Sequence, residues 1–223
     1  MVRQTRMTDM TIDRRTFTAG SALTMLSLSL GLSITPGVAF AQRKVNVEDL
    51  HAPGPLGDKV LGSPDAPVTI VEYASMSCPH CAAFHQTVLP DLKAKYIDAG
   101  KVRLIFREFP LNAPAYPPAM VARCAPANRY FDIVGAYFQR QRDWLAGSNI
   151  KAGIQNIAEE FGFTPESFEA CASNQALFDG LNEMKTRATS FGVESTPTFF
   201  INGAKFVGGL SIAEFSQAID PLL

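Results

Sequence analysis

Four cysteines carry the chemistry this chain can do, and two of them stand three residues apart, in Cys78-Pro79-His80-Cys81. Two thiols at that spacing close a small disulfide ring within one helical turn, which suits a bond that opens and closes by thiolate exchange. A sulfur at a helix N-terminus faces unpaired backbone N–H groups and the positive end of the helix dipole, and both favour the thiolate. His80 adds a donor beside Cys78, and a positive charge when protonated. Stabilising the thiolate stabilises the reduced dithiol, so the disulfide becomes the stronger oxidant. Half of a zinc site and a static structural disulfide are the competing readings. Zinc needs two further ligands. His85 could approach as one, whereas His51 lies far off in a loop.

The elements that must position this pair follow from periodicity. Residues 68–74 (VTIVEYA) are β-branched and nearly continuous, as a central strand buried on both faces requires. Met76 and Ser77 turn the chain, and Pro79 fits a first helical position, where its missing N–H costs nothing. Phe84, Val88, Leu92 and Tyr96 recur at helical spacing, with His85 read as a surface position, and Gly100 closes the helix. Residues 101–109 form a second strand, parallel to the first because a helix crosses between them. Pro114, Pro117 and Pro118 mark a boundary, after which residues 119–191 are helical almost throughout. The segments expected are 119–123, 130–145, 150–161, 165–172 and 175–191. Residues 197–201 are a strand, Asn202-Gly203 a hairpin turn and 204–207 its partner; Ser211 caps a last helix. Tyr130, Phe131, Tyr137, Phe138 and Trp144 read as core. Residues 42–67, rich in Pro, Gly and charge, read as a mostly extended lead-in. The order predicts one α/β domain, a small mixed sheet flanked by helices with an all-helical insertion.

The 223 residues include 20 Lys and Arg against 21 Asp and Glu, a net charge of −1. That balance excludes a nucleic-acid binder, whose affinity rests on clustered cations. Ordinary Gly, Pro and Cys content excludes collagenous, disordered and knottin-like chains. Residues 1–41 read as an export signal. Arg3, Arg6, Arg14 and Arg15 precede a diluted apolar run, and Ala39-Phe40-Ala41 sets cleavage before Gln42. The run is ~16 residues, short of the roughly 18 a bilayer span needs. Arg14-Arg15-Thr16-Phe17 matches the twin-arginine pattern in part, with Asp13 where Ser or Thr is usual, so the export route stays open. No later stretch could cross a membrane. The mature chain is expected in an oxidising space, the periplasm.

Residues 67–73 (PVTIVEY) leading into Cys78-Pro79-His80-Cys81, the run 106–111 (FREFPL) and Ser195-Thr196-Pro197-Thr198 together resemble the DsbA-like thiol:disulfide oxidoreductases of the thioredoxin superfamily, over essentially the whole mature chain. The resemblance implies a thioredoxin-like fold split into residues 42–111 and 191–223 around a helical insertion, 112–190. It implies that Cys78 and Cys81, flanking Pro79 and His80, oxidise client thiols. It places Pro197 as a cis-proline beside the dithiol and Thr196 as a residue that pairs with client backbone. Glu72 corresponds to the family's buried acid, expected to exchange protons with Cys81 through water. Cys124 and Cys171 correspond to the second, structural bridge of a subgroup; a shuttle pair is the alternative. No cofactor and no metal are implied. The expected partners are unfolded or folding cysteine-containing exported proteins, and a quinone-linked membrane protein for reoxidation, with the chain itself a monomer. A reductase or isomerase on the same fold, and a non-redox client-binding holdase, are the alternatives. Thr196 departs from the residue usual before this proline in the strongest oxidants, which keeps the reductase in view.

Overall fold

The computed structural model describes residues 45–223; the expected export signal, residues 1–41, lies outside them. β2 (Val68–Ala74) has all seven residues buried, as its unbroken β-branched run requires. It sits at the middle of a five-stranded sheet of order β1-β3-β2-β4-β5. β3 (Val102–Glu108) runs parallel to it, with Val68 opposite Val102 and Ala74 opposite Glu108. β4 (Thr198–Ile201) lies antiparallel on the other side, Tyr73 facing Thr198, and β5 (Ala204–Val207) closes that edge. The β4–β5 turn places Asn202 at φ 43° and Gly203 at φ 85°, the left-handed pair that an Asn-Gly hairpin supplies at least cost.

The lead-in is more ordered than its composition predicts. It holds α1 (Val47–His51), capped by Asn46, and β1 (Lys59–Leu61), which pairs antiparallel with residues 104–106 of β3. Arg107 fastens it. The guanidinium, 2% exposed, donates to Asp58 at 2.9 Å, to the Leu50 and Ala52 carbonyls at 2.8 and 3.0 Å, and to Tyr73 Oη at 3.0 Å. A buried cation demands such partners, and here the partners are the lead-in itself.

α2 comprises the consecutive segments Pro79–Ala83, Phe84–Val88, Leu89–Leu92 and Lys93–Ile97, the second and fourth wound as wide π turns. The first wide turn has a cause in Pro90, which has no N–H to offer the Gln86 carbonyl and whose ring crowds it. The Leu89 N–H bonds back to Phe84 O instead. Gly100 ends the stretch at φ 69°. Against one sheet face Phe84, Leu92, Tyr96 and Ile97 pack with Val68, Ile70, Phe199, Phe215 and Ile219. The last two belong to α9 (Ile212–Ile219), whose Ser211–Glu214 capping box sets its start.

Between β3 and β4 every α or β element is helical: α3 (Tyr116–Cys124), α4 (Tyr130–Gln139), α5 (Gln141–Ala146), α6 (Ile150–Glu159), α7 (Pro165–Ala172) and α8 (Gln175–Ser190). The helix expected over 130–145 is two helices, broken at Arg140, whose φ −106° and ψ 22° leave the helical region. Tyr130, Tyr137, Phe138 and Trp144 are buried at 0–1% exposure in one cluster with Cys78 and Cys81, and Phe131 packs against it. The core of the helical block is therefore continuous with the wall of the dithiol.

Candidate active site

Cys78 is the N-cap of α2 and Pro79 its first helical residue, so the dithiol stands where β2 ends and the helix begins. Both thiols are reduced and buried, Cys78 at 4% and Cys81 at 0% exposure. Their surroundings drive them apart. The Cys81 S–H donates to the Cys78 sulfur and, against the opposing effect of burial, brings the Cys78 thiol down from 9.0 to about 5. The Thr196 side chain and the backbone N–H groups of Cys81 and His80 assist. Burial pushes the Cys81 thiol well up, and the Cys78 sulfur and the charge of Glu72 add to it. One sulfur is a thiolate at neutral pH and the other holds its proton.

The Thr196–Pro197 bond is cis, and the Thr196 carbonyl oxygen lies 3.2 Å from Cys78 Sγ, where the thiol form donates to it. The Thr196 hydroxyl is buried without a hydrogen-bond partner, which leaves its proton for the thiolate. His80 is exposed and its imidazole makes no hydrogen bond among the described residues; what reaches the sulfur is its backbone N–H. Cys124 and Cys171 form a disulfide with Cα atoms 6.2 Å apart, joining the end of α3 to α7.

Glu72 is fully buried on β2, and His85 is not the surface residue its helical position suggests. The His85 side chain is 4% exposed, and its Nε2 lies 2.9 Å from Glu72 Oε1. Pairing with a buried carboxylate across the sheet–helix interface overrides the helical pattern, which carries no trace of it.

Three further groups shape the site without any local signal in the sequence. Gln141, buried at the start of α5, donates from Nε2 to the carbonyls of Met76 and Cys78 at 2.8 and 2.9 Å. It reads as solvated because Arg140, Arg142 and Asp143 surround it in sequence. Ser75 and Ser77 hydroxyls meet at 3.2 Å, Ser77 donates to Asn112 Oδ1 at 2.8 Å, and Ser75 accepts from the Leu111 N–H. Beyond Asn112 an apolar groove runs between Leu111, Tyr116, Met120 and Phe178, with Leu111 and Phe178 well exposed. Among the described residues no three His, Cys, Asp or Glu side chains cluster as metal ligands, and no helix is long and apolar enough to cross a membrane.

The family model described as Thioredoxin matches residues 56–221. A Rickettsia felis protein provisionally named a protein-disulfide oxidoreductase is 34% identical over 172 residues, covering 74% of this chain and 60% of that protein. A Rickettsia bellii protein of the same name is 34% identical over 167 residues, with 73% and 63% covered. The chain thus spans about three fifths of these relatives' length. Wolbachia pipientis alpha-DsbA1 superposes with a TM-score of 0.73 at 33% identity, covering 79% of this chain and 96% of that one. Oxidised BdbD from Bacillus subtilis, at 18% identity and a TM-score of 0.68, shares the fold. With a dithiol at a strand-to-helix junction facing a cis-proline, and with these matches, the chain belongs to the DsbA-like oxidoreductases of the thioredoxin superfamily.

Proposed function

We propose that this protein is an exported thiol:disulfide oxidoreductase that passes its Cys78–Cys81 disulfide to cysteine pairs of folding exported proteins. The observation that carries the reading is the opposite displacement of the two thiols, Cys78 to about 5 and Cys81 well up. A client thiolate attacks Cys78, the S–S bond breaks and Cys81 leaves with the electron pair. A second client thiolate then attacks the client sulfur of the mixed disulfide. Cys78 is expelled as a stable thiolate, and the client carries the new disulfide. Thr196 and Pro197 hold the client backbone beside the sulfur by strand-like pairing, and the apolar groove past Asn112 takes side chains flanking the client cysteine. Cys124–Cys171 is structural in this reading. Reoxidation falls to a quinone-linked membrane oxidoreductase, as the family resemblance implies, and the chain works as a periplasmic monomer without a cofactor.

The test is single-turnover oxidation of a reduced, unfolded ribonuclease by the oxidised protein, followed by loss of client thiols. Cys78→Ser should abolish it. Client thiols left unoxidised by wild type and Cys78→Ser alike, with both keeping the unfolded client soluble, would replace the enzyme reading with a holdase.

A further inference from the structure

Behind the dithiol lies a buried row that the exchange steps above do not use. Cys81 and His85 are four residues apart on α2 and so lie along one side of the helix, with Glu72 opposite them on β2. His85 Nε2 and Glu72 Oε1 are 2.9 Å apart; Glu72 Oε2 is buried with no hydrogen-bond partner, and the charge of Glu72 is felt at Cys81. The imidazole is boxed by rings from three elements: Phe138 of α4 at 4.3 Å, Phe84 of α2 at 5.3 Å and Phe106 of β3 at 5.6 Å between centroids. The wide turn over Phe84–Val88 carries it. Wide turns of this kind recur at functional sites. Neighbouring ionisable groups are accounted for elsewhere. Glu108 of β3 is held by Arg123 at 2.6 Å and by Tyr130 Oη at 2.6 Å. Arg107 is held by Asp58, and among the side chains of α2 only the two cysteines and the exposed His80 stand toward the dithiol end. No facing group on β4 ionises, since Phe199 is opposite Glu72.

An isolated buried carboxylate is costly, and a cation beside it offsets that cost. We propose that His85 completes Glu72 as a buried proton-holding pair for Cys81, a role that rests on the thiol-exchange reading. In the oxidised protein the pair carries one shared proton, Glu72 carboxylate with His85 imidazolium, and is neutral overall. When a client thiolate breaks the Cys78–Cys81 bond, Cys81 leaves as thiolate, takes that proton and becomes a thiol, and the pair is left with charge −1. When Cys81 attacks a mixed disulfide at Cys78, its proton returns to the pair as its sulfur bonds Cys78 and the other thiolate leaves. His85 is a positioning and proton-storing residue that touches no reacting sulfur.

The experiment uses the Cys78–glutathione mixed disulfide of the full protein and follows glutathione release by Cys81 in stopped flow from pH 5 to 9. His85→Gln keeps a donor for Glu72 but cannot titrate; His85→Phe keeps the packing and removes the donor. Both should slow release at pH 7 by about 100-fold or more, the lower reach of acid–base assistance. Both should also flatten the pH dependence of release relative to wild type. In the reduced form of each variant the Cys78 thiolate, read at 240 nm, should still titrate near 5. His85→Gln with wild-type rates and profile would overturn the proposal, and it remains decisive if His85→Phe fails to fold. Failure of the functional reading looks different: wild type would release glutathione normally yet leave ribonuclease thiols unoxidised.

Discussion

Removing the Cys81 thiol tests how the site makes its thiolate. Cys81 S–H donation is the largest influence holding Cys78 near 5 rather than 9.0. At pH 7 that displacement favours the thiolate about 100 to 1, where an ordinary thiol stands the other way. The stabilisation of the reduced protein is at most about 2.7 kcal/mol, less the share that solvent screens. For a two-electron couple this raises the potential by at most about 60 mV. The sign follows from the depressed pKa: the stabilisation is complete above pH 9 and is lost as pH falls through about 5. A hydrogen bond to a charged group contributes about 1.5–3 kcal/mol, so Cys81→Ala should raise the Cys78 midpoint by about 1–2 pH units. The assay is thiolate absorbance at 240 nm during acid titration. A wild-type midpoint near 9, or a Cys81→Ala midpoint that stays near 5, would refute the reasoning.

Other consequences follow from the same geometry. The pH slope of the pair's potential should be about 30 mV per pH unit shallower above the Cys78 midpoint than below it, because reduction then takes up one proton fewer; redox titration from pH 4 to 8 reads the break. Gln141→Leu should cost about 1–3 kcal/mol for each carbonyl left bare at Met76 and Cys78, seen in urea unfolding together with slower client oxidation. Replacing Cys124 and Cys171 by Ala opens a loop of 47 residues and should cost about 4 kcal/mol in chain entropy, while Cys78 still titrates near 5. A shifted thiolate midpoint in that variant would tie the second bridge to the dithiol. Asp58→Asn should destabilise the protein by about 3–5 kcal/mol, because it strips the buried Arg107 of its counter-charge.

What could be read from sequence was local. The CPHC turn, the nearly continuous β-branched β2 run, the Asn-Gly hairpin and the capped α9 declare themselves within a few residues, and each is where its pattern placed it. What could not be read depends on partners far away in the chain. β1 is three residues long and exists because β3 offers it an edge. Arg140 breaks a helix that its neighbours would continue. Gln141 and His85 look solvated beside charged or polar neighbours, yet their partners are 63–65 and 13 residues distant. Burial decides their roles, and burial is a property of the assembled core.

The most direct measurement of the central claim is the glutathione redox equilibrium of Cys78 and Cys81 in protein whose Cys124–Cys171 bridge is intact. An oxidant of client thiols requires a potential between about −180 and −120 mV, and that is the result expected. A value near about −270 mV would place the protein with thioredoxin-like reductants and contradict the account.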